Sequence, residues 1–543
     1  MLKMKKFLIP SLMLVTVLFL YIFDIGNLNG LRQGTEGFYL QIAKEMFQEK
    51  SFIAPLYMGE HHWSKPPLHF WLSFPFYFLE GQASLFSSRL SVVLTSLLYL
   101  FLFADWSKRN FNTSRLYAFV FFTACFCFFK YTRIFMMEMP LACLTALGSL
   151  YYYDFLNTSK KRFLFLAFLF TGLSILIKGP VSLVMAAGGL GLYGIYLLLT
   201  KQQLPIKKTF LWLSLSLLIG SIWFIICYLR FGDEFFNYFF LRENVGKFTA
   251  RSYPIRHVFQ GLLIYGLPWS LFCPFIYYYF YDNKESVKKG NENLYVFLFC
   301  NFVFFFTLWL IPSQRSHHYA VPSIPFFLLL ILKGCFLGLV KERRQRLFQF
   351  TNYLISGFLV ILIFFLGVAL TISEVYSNPS HLFGLFIAIA SCAFAIYHFT
   401  QRNNHLYRFF SAALVFGSLW TVLIPSFTLP LVPGEVIEIV GNKKLASVVH
   451  KPYFVSEAFN REILSMNSHE LQQYVQENQS YYLTYKYNYD KLSQKDQTDV
   501  VYTWSIWKRR RRVSHIIDAI KNGKISELKE TMILFKNRDY NPQ

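Results

Sequence analysis

Of the 543 residues, 55% are hydrophobic and 20% aromatic, while only 15% are charged. A soluble domain cannot hide that much apolar surface, and the apolar residues come in runs of roughly 20, the length of a helix crossing about 30 Å of hydrocarbon. The formal net charge of +23 calls for no nucleic acid, because Lys and Arg gather in the cytoplasmic loops of a polytopic membrane protein.

In chain order, Lys3, Lys5 and Lys6 precede an apolar run with no small-residue cleavage site after it. That pattern predicts a retained first helix over 7–23, with the N-terminus in the cytoplasm. The loop Asp24–Leu85 then lies outside. It carries a carboxylate in a Gly-flanked turn (Gly34-Thr35-Glu36-Gly37), a His pair (His61, His62) and Lys65-Pro66-Pro67. Between them, Gln41, Lys44, Glu45 and Gln48 form a polar stripe at helical spacing on Phe38–Gln48. The stripe predicts a helix lying in the membrane interface, with packing on other loops as the alternative.

The apolar stretch 66–81 is too short for a full crossing and is interrupted by Pro75. If it crossed, the clusters Lys108/Arg109, Lys160–Arg162, Lys207-Lys208, Lys288-Lys289 and Lys341–Arg346 would all face outward. An in-plane segment keeps them in the cytoplasm. Further spans fall near 87–105, 115–131, 134–156, 163–177, 180–200, 209–229, 258–281, 293–312, 320–340, 348–371, 382–400 and 409–429. The expected architecture is an all-α bundle of about thirteen transmembrane helices over residues 1–430, with 24–85 as its outer functional loop.

Beyond Pro430 the composition turns polar. Short β-like runs (Val436–Val440, Tyr481–Tyr485, Val500–Trp504) alternate with helical stretches (Ser468–Glu477, Ser514–Asn522), predicting a small α/β domain over 431–543. An odd helix count puts it outside the cytoplasm, together with the basic run Lys508–Arg512. All eight cysteines sit in apolar runs, so no disulfide framework is expected. No internal repeat is visible, which weakens a transporter reading.

Under this topology the unusual polar residues collect at one membrane face. They are Glu36, Tyr39, His61, His62 and Lys65; Arg133 and Glu138; Lys178 in a Lys-Gly-Pro turn; Glu243, Asn244 and Lys247; and Arg315, His318 and Tyr319. Cations on the outer face run against the cytoplasmic bias and need a purpose. Lys and Arg suit a phosphate. A carboxylate suits deprotonation of an acceptor, or support of positive charge at a sugar carbon. Glu36 is the expected base or charge stabiliser, with Glu138 beside it. Lys65, Arg133, Lys178, Lys247 and Arg315 are expected on phosphate, and Tyr39, His61 and His318 in orientation. His61 and His62, with Glu60 or Glu36, could instead hold a divalent ion, although no spacing marks a metal site.

Several short motifs in the same order resemble a family. Thr35-Glu36 is followed by Tyr39-Leu-Gln-Ile42-Ala-Lys-Glu45-Met46. Then come Lys65-Pro66-Pro67-Leu68-His69-Phe70-Trp71, Arg89-Leu90, Glu138-Met139-Pro140-Leu141, Lys178-Gly179-Pro180, the block Glu243–Phe248, Pro268-Trp269, and a turn over Gln314–Pro322. The pattern resembles the bacterial GT-C-fold glycosyltransferases, most closely the aminoarabinose lipid A transferases and their relatives among the protein O-mannosyltransferases. It covers roughly residues 5–330 in motif order. Two positions depart: Thr35 stands where the family has an acidic residue, and Ser64 where many members have one that contributes to a metal site. The resemblance implies transfer of a sugar from a polyprenyl-phosphate carrier to lipid A or another envelope glycan or protein, at the outer face of a bacterial inner membrane. A lipid-linked-sugar transporter and a glycan polymerase or ligase are the alternatives.

Overall fold

The computed structural model describes residues 2–28, 34–245, 253–313, 315–337, 342–370, 378–401, 404–449, 453–508 and 513–540. Most of each span expected from the sequence is helical within these residues, but 134–137 precede the helix that starts at Glu138, and 115–131 and 258–281 are each broken, so fewer described helices than the expected thirteen are of spanning length. Seven described helices are long and apolar enough to cross a membrane, or eight if Arg256–Tyr265 and Trp269–Asp282, bent by 104° at their junction, form one broken span. Leu8–Ile22 and Asn293–Leu308 are shorter apolar helices. The chain is a multi-pass α-helical membrane protein.

The elements that build the site are few. Helix α1 (Leu2–Ile22) leads to α2 (Gly34–Gln48). Strands β1 (Leu56–Tyr57) and β2 (Glu60–His61) then make an antiparallel hairpin. Its turn puts Met58 and Gly59 at positive φ, a geometry in which Gly is the least strained residue. Both turn amides donate to the Glu45 carboxylate, at 3.0 and 3.1 Å. The segment after Lys65 does not span. It forms two short helices, α3 (Leu68–Trp71) and α4 (Phe74–Glu80), followed by α5 (Leu85–Phe111). Ser84 caps α5 by accepting from the Ser87 amide, which satisfies one of the free N–H groups of its first turn.

The expected span 115–131 is split into α6 (Arg115–Thr123) and α7 (Phe126–Thr132). Next come α8 (Glu138–Thr158), α9 (Lys161–Lys178), α10 (Val181–Leu199) and α11 (Ile206–Phe236). Gly179, at φ +83°, ends α9, and Pro180 leads directly into α10. Helix α11 continues past Phe236 as a wider π-type turn over Asn237–Val245. Helix α8 is buried on every side from Glu138 to Phe155, so it is the central post of the bundle.

The C-terminal region holds a five-stranded mixed sheet of order β4-β3-β5-β7-β6. Its strands are β3 (Leu445–Val448), β4 (Leu464–Ser465), β5 (Tyr481–Tyr485), β6 (Thr498–Trp507) and β7 (Lys529–Asn537). Two of the three expected β-like runs lie in strands. Val436–Val440 does not: it belongs to the helix Gly434–Val440, where Val436 and Val440, one turn apart, are both buried. The sheet is tied to the end of the bundle by the Trp504 indole donating to the Leu431 carbonyl (3.1 Å) and Trp507 to Phe427 (2.7 Å). One apolar core runs from the bundle into the sheet. The basic run Arg509–Arg512 lies outside the described residues.

Part of the polar stripe of α2 faces protein, while Gln48 at its end stays exposed. Glu45 is 4% exposed and holds the hairpin turn, and Lys44 is paired with Glu457. An interfacial helix would turn this stripe to headgroups and water. Here the C-terminal region covers that part, because its helix Tyr453–Ala458 packs across α2.

Candidate active site

Glu36 is wholly buried in the first turn of α2. Arg89 of α5 donates to both of its carboxylate oxygens, Nε to Oε1 at 2.7 Å and a terminal nitrogen to Oε2 at 2.9 Å. The Phe135 amide donates to Oε1 at 2.8 Å. Arg89 also donates to the carbonyls of Ile25 and Asn27. This set is a clamp that fixes the end of α1, the start of α2 and the turn before α8 to one another. A two-pronged guanidinium–carboxylate pair with added amide bonds is what lets a buried charge persist.

Arg133, in that same turn, donates to the carbonyls of Leu20 and Phe23, both at 2.6 Å. It closes the otherwise unpaired C-terminal carbonyls of α1. Arg315 donates to the backbone carbonyls of Leu310 and Tyr253. The structure therefore places Arg133 and Arg315 on main chain, where they brace the site's walls.

The second carboxylate differs. Glu138 opens α8 and is 3% exposed. Its Oε1 lies 3.6 Å from His318 Nε2, and its Oε2 has no hydrogen-bond partner. The helix N-terminus favours its negative charge, yet a buried carboxylate oxygen without a donor is costly and calls for a reason. His318 is itself oriented by Ser316 Oγ, 2.9 Å from its Nδ1. Tyr39, buried on α2, sits within the fields of Glu138, Tyr319 and Glu243, and burial raises its hydroxyl pKa well above the usual phenol range.

Cations ring this mouth. Lys65 Nζ lies 3.9 Å from Glu243 and donates to the Ser64 carbonyl. The two prolines after it lead into α3 and set its direction. Lys178 lies over the rings of Trp309 (4.9 Å) and Tyr319 (5.5 Å), a placement that holds an ammonium without discharging it. Tyr39, Lys65, Glu138, Lys178, Glu243, His318 and Tyr319 therefore come together. Asn244's side chain and the whole of Lys247 lie outside the described residues.

The histidine pair does not form the metal site considered above. His61 stacks on Trp63 at 4.9 Å, and His62 Nδ1 lies 3.0 Å from the Tyr238 hydroxyl. Burial lowers the His62 pKa, against the opposing pull of Glu243. Among the described residues no three His, Cys, Asp or Glu side chains converge as a metal centre. The pair instead docks the hairpin on the end of α11.

Three contributors were not legible as site residues. Arg89 was seen only as part of a motif; the signal was a lone arginine at the start of an apolar helix, which needs a buried acid. His69 stacks on Phe135 at 4.3 Å and meets Tyr39 edge-on at 5.9 Å. Burial pushes its pKa down to about 4, against the nearby Glu138 charge and the Phe135 backbone. Glu457 reaches α2 and the Leu85 amide from the far end of the chain, a contact no local pattern announces.

Comparison with known proteins sets this geometry in context. Residues 64–227 match the family described as dolichyl-phosphate-mannose-protein mannosyltransferase. An uncharacterised protein of Aquifex aeolicus (strain VF5) is 30% identical over 328 residues, 59% of this chain and 62% of that protein. The undecaprenyl phosphate-alpha-4-amino-4-deoxy-L-arabinose arabinosyl transferase of Wigglesworthia glossinidia brevipalpis is 23% identical over 65% of this chain and 64% of its own. The chain thus spans less than two thirds of both relatives. In fold it is similar to ArnT from Cupriavidus metallidurans bound to undecaprenyl phosphate, with a TM-score of 0.69 at 15% identity over 98% of this chain and 99% of that one. The apo form of ArnT gives 0.68 at 16% identity. The resemblance carried by the motifs therefore stands, for the fold throughout and for the matched segment.

Proposed function

We propose, for a chain that is a GT-C-fold relative of ArnT and the protein mannosyltransferases, the transfer of a sugar from a polyprenyl-phosphate carrier to lipid A or another envelope acceptor. The reaction would take place at the outer face of a bacterial inner membrane, with the N-terminus in the cytoplasm and the 431–543 domain in the periplasm. The observation that carries this reading is Glu138. It is a buried carboxylate with one oxygen free of donors, in a mouth ringed by Lys65, Lys178, Tyr39 and His318.

In this reading the acceptor hydroxyl comes to Glu138 Oε2, which takes its proton as the hydroxyl oxygen attacks the anomeric carbon. The bond from that carbon to the carrier phosphate breaks, and its electron pair leaves with the phosphate oxygen. Lys65 and Lys178 stabilise the charge that grows there. Tyr39 and His318 orient the sugar. Glu36 and Arg89 act as positioning residues, since their charges are paired with each other and with main chain; Arg133 braces main chain through its two terminal nitrogens, and its buried Nε has no partner.

The test uses full-length protein in detergent, an undecaprenyl-phosphate-linked aminoarabinose donor and lipid A. Mass spectrometry should find free undecaprenyl phosphate and the glycosylated acceptor in equal amounts. Binding of the carrier without its release from the sugar would sink the transferase reading and favour a transporter.

A further inference from the structure

Trp507 marks the level at which the C-terminal domain meets the membrane boundary. Its indole donates to the Phe427 carbonyl at 2.7 Å, and Phe427 is the last residue of the apolar span His405–Phe427. The ring of His381, in the first turn of the span Pro379–Thr400, stacks on Phe427 at 4.5 Å. Two spans therefore end beside this indole, at the depth where tryptophan collects between hydrocarbon and water.

The helix Val513–Lys521 begins just beyond it. Neighbouring contacts hold that helix to the same place. The Lys508 amide donates to the Leu528 carbonyl at 2.9 Å, and the Lys529 ammonium lies 5.2 Å from the centre of the Trp507 ring. The helix packs on the turn Ile525–Leu528 and buries Ala519. Ile517 and Ile520, three positions apart and so on one face, are 44% and 38% exposed. Lys521, one turn after Ile517, is exposed with them. By sequence, residues 508–530 carry eight Lys and Arg against Asp518, Glu527 and Glu530. Glu527 is already paired with Lys524 at 3.6 Å.

We propose that the face formed by Ile517, Ile520 and Lys521 rests on the membrane surface and selects anionic phospholipid headgroups, so that the C-terminal domain is docked on the bilayer beside its own spans. The isoleucines enter the boundary between headgroups and acyl chains, and the surrounding positive charge meets the phosphates. A face of two isoleucines is far smaller than the roughly 800 Å² per partner of a stable protein complex. A second copy of the chain would bring the same excess of positive charge against it. Lipid needs no such area, because the spans already hold the helix at headgroup level. The inference needs the chain to sit in a bilayer, but not to be a transferase.

The experiment follows amide hydrogen exchange by mass spectrometry in full-length protein. The protein is held in detergent, in nanodiscs of phosphatidylcholine, and in nanodiscs of phosphatidylcholine with phosphatidylglycerol. Amides of the helix Val513–Lys521 should exchange at least about tenfold more slowly in the anionic discs than in the neutral ones. The helix Glu470–Glu477, elsewhere in the same domain, should not change. Ile517→Ser with Ile520→Ser, and separately Lys521→Gln with Lys524→Gln, should each remove most of that slowing. The charge variant keeps the apolar residues, so it decides the matter if the isoleucine variant already frays in detergent. Equal exchange in the two kinds of disc overturns the docking. Slowing that the charge variant leaves intact overturns it too, as does equal protection in detergent and in both discs, which would assign the face to a protein partner.

Discussion

Two carboxylates flank the same short turn, and their surroundings are opposite. Glu36 takes two bonds from Arg89 and one from the Phe135 amide. Glu138, three residues beyond that amide, has a histidine nitrogen at 3.6 Å and an oxygen that nothing donates to. Both are buried, so burial alone does not tell a reacting group from a brace. Glu36 has three donors, two of them from a guanidinium, whereas one oxygen of Glu138 has none, so Glu138 keeps the greater room for a proton or a substrate hydroxyl. Residue type and position at a helix start made the two look alike in the sequence, and only the count of donors separates them.

The comparison breaks first at Glu138. Glu138→Gln keeps the shape of the side chain and removes its basicity. Transfer should fall by about 10²–10⁴ in kcat, the usual contribution of a general base, while thermal stability stays within error. The carrier-release assay reads this directly, and activity within a few-fold of wild type would take Glu138 out of the chemistry.

Glu36 should fail differently. Glu36→Gln leaves the Arg89 charge buried without its counter-charge, which costs about 3–5 kcal/mol. A fall in unfolding temperature or in the yield of folded protein should accompany any lost activity. Adding Arg89→Met should restore part of that stability, because the stranded charge is then gone. Lost transfer in Glu36→Gln at unchanged stability would return Glu36 to the reaction.

His69 sharpens the comparison from the proton's side. It is held neutral in the fold, with a pKa of about 4 against 6.5 when unfolded. The depressed value means the unfolded chain takes up a proton that the folded chain refuses. The stability linked to His69 is therefore fully present above pH 6.5 and drains away between 6.5 and about 4. It amounts to about 3 kcal/mol across that range. His69→Phe should flatten this part of the stability–pH curve, and an unchanged slope would show that His69 is not the group responsible.

Much of this was legible in the sequence because membrane physics is strict. Apolar runs of spanning length, the basic clusters between them and the short run broken at Pro75 gave the helices and the non-spanning segment before Phe86. The motifs brought Tyr39, Lys65, Glu138, Lys178, Glu243, His318 and Tyr319 to one mouth. What stayed hidden were partner choices made across the fold. Periodicity exposes a polar stripe on α2, but not that Glu457, over 400 positions later, covers part of it. The run at Val436–Val440 has β-branched residues and reads as a strand, yet burying positions one turn apart makes it a helix. Arg133 and Arg315 are expected on phosphate from their charge alone, and the distant carbonyls they also meet are announced by no local pattern.

The smallest expected effect lies where the two regions meet. Gly37 directly follows Glu36, and a Cβ built there would stand 2.4 Å from Tyr453 Cδ2 and 2.6 Å from its Cγ. The Tyr453 hydroxyl meets that of Tyr57 at 2.9 Å, so the ring is held at both ends. Gly37→Ala must therefore push the C-terminal helix away or tilt the start of α2, at a cost of about 1–3 kcal/mol for overpacking. Tilting α2 would move Tyr39 and weaken transfer, whereas pushing the helix would loosen its packing on α2 and leave transfer to a water-soluble acceptor analogue intact. Tyr453→Ala should relieve the clash, so that the double variant is more stable than the sum of the single losses predicts. Strict additivity would mean that the Glu36 clamp and the C-terminal domain are mechanically independent.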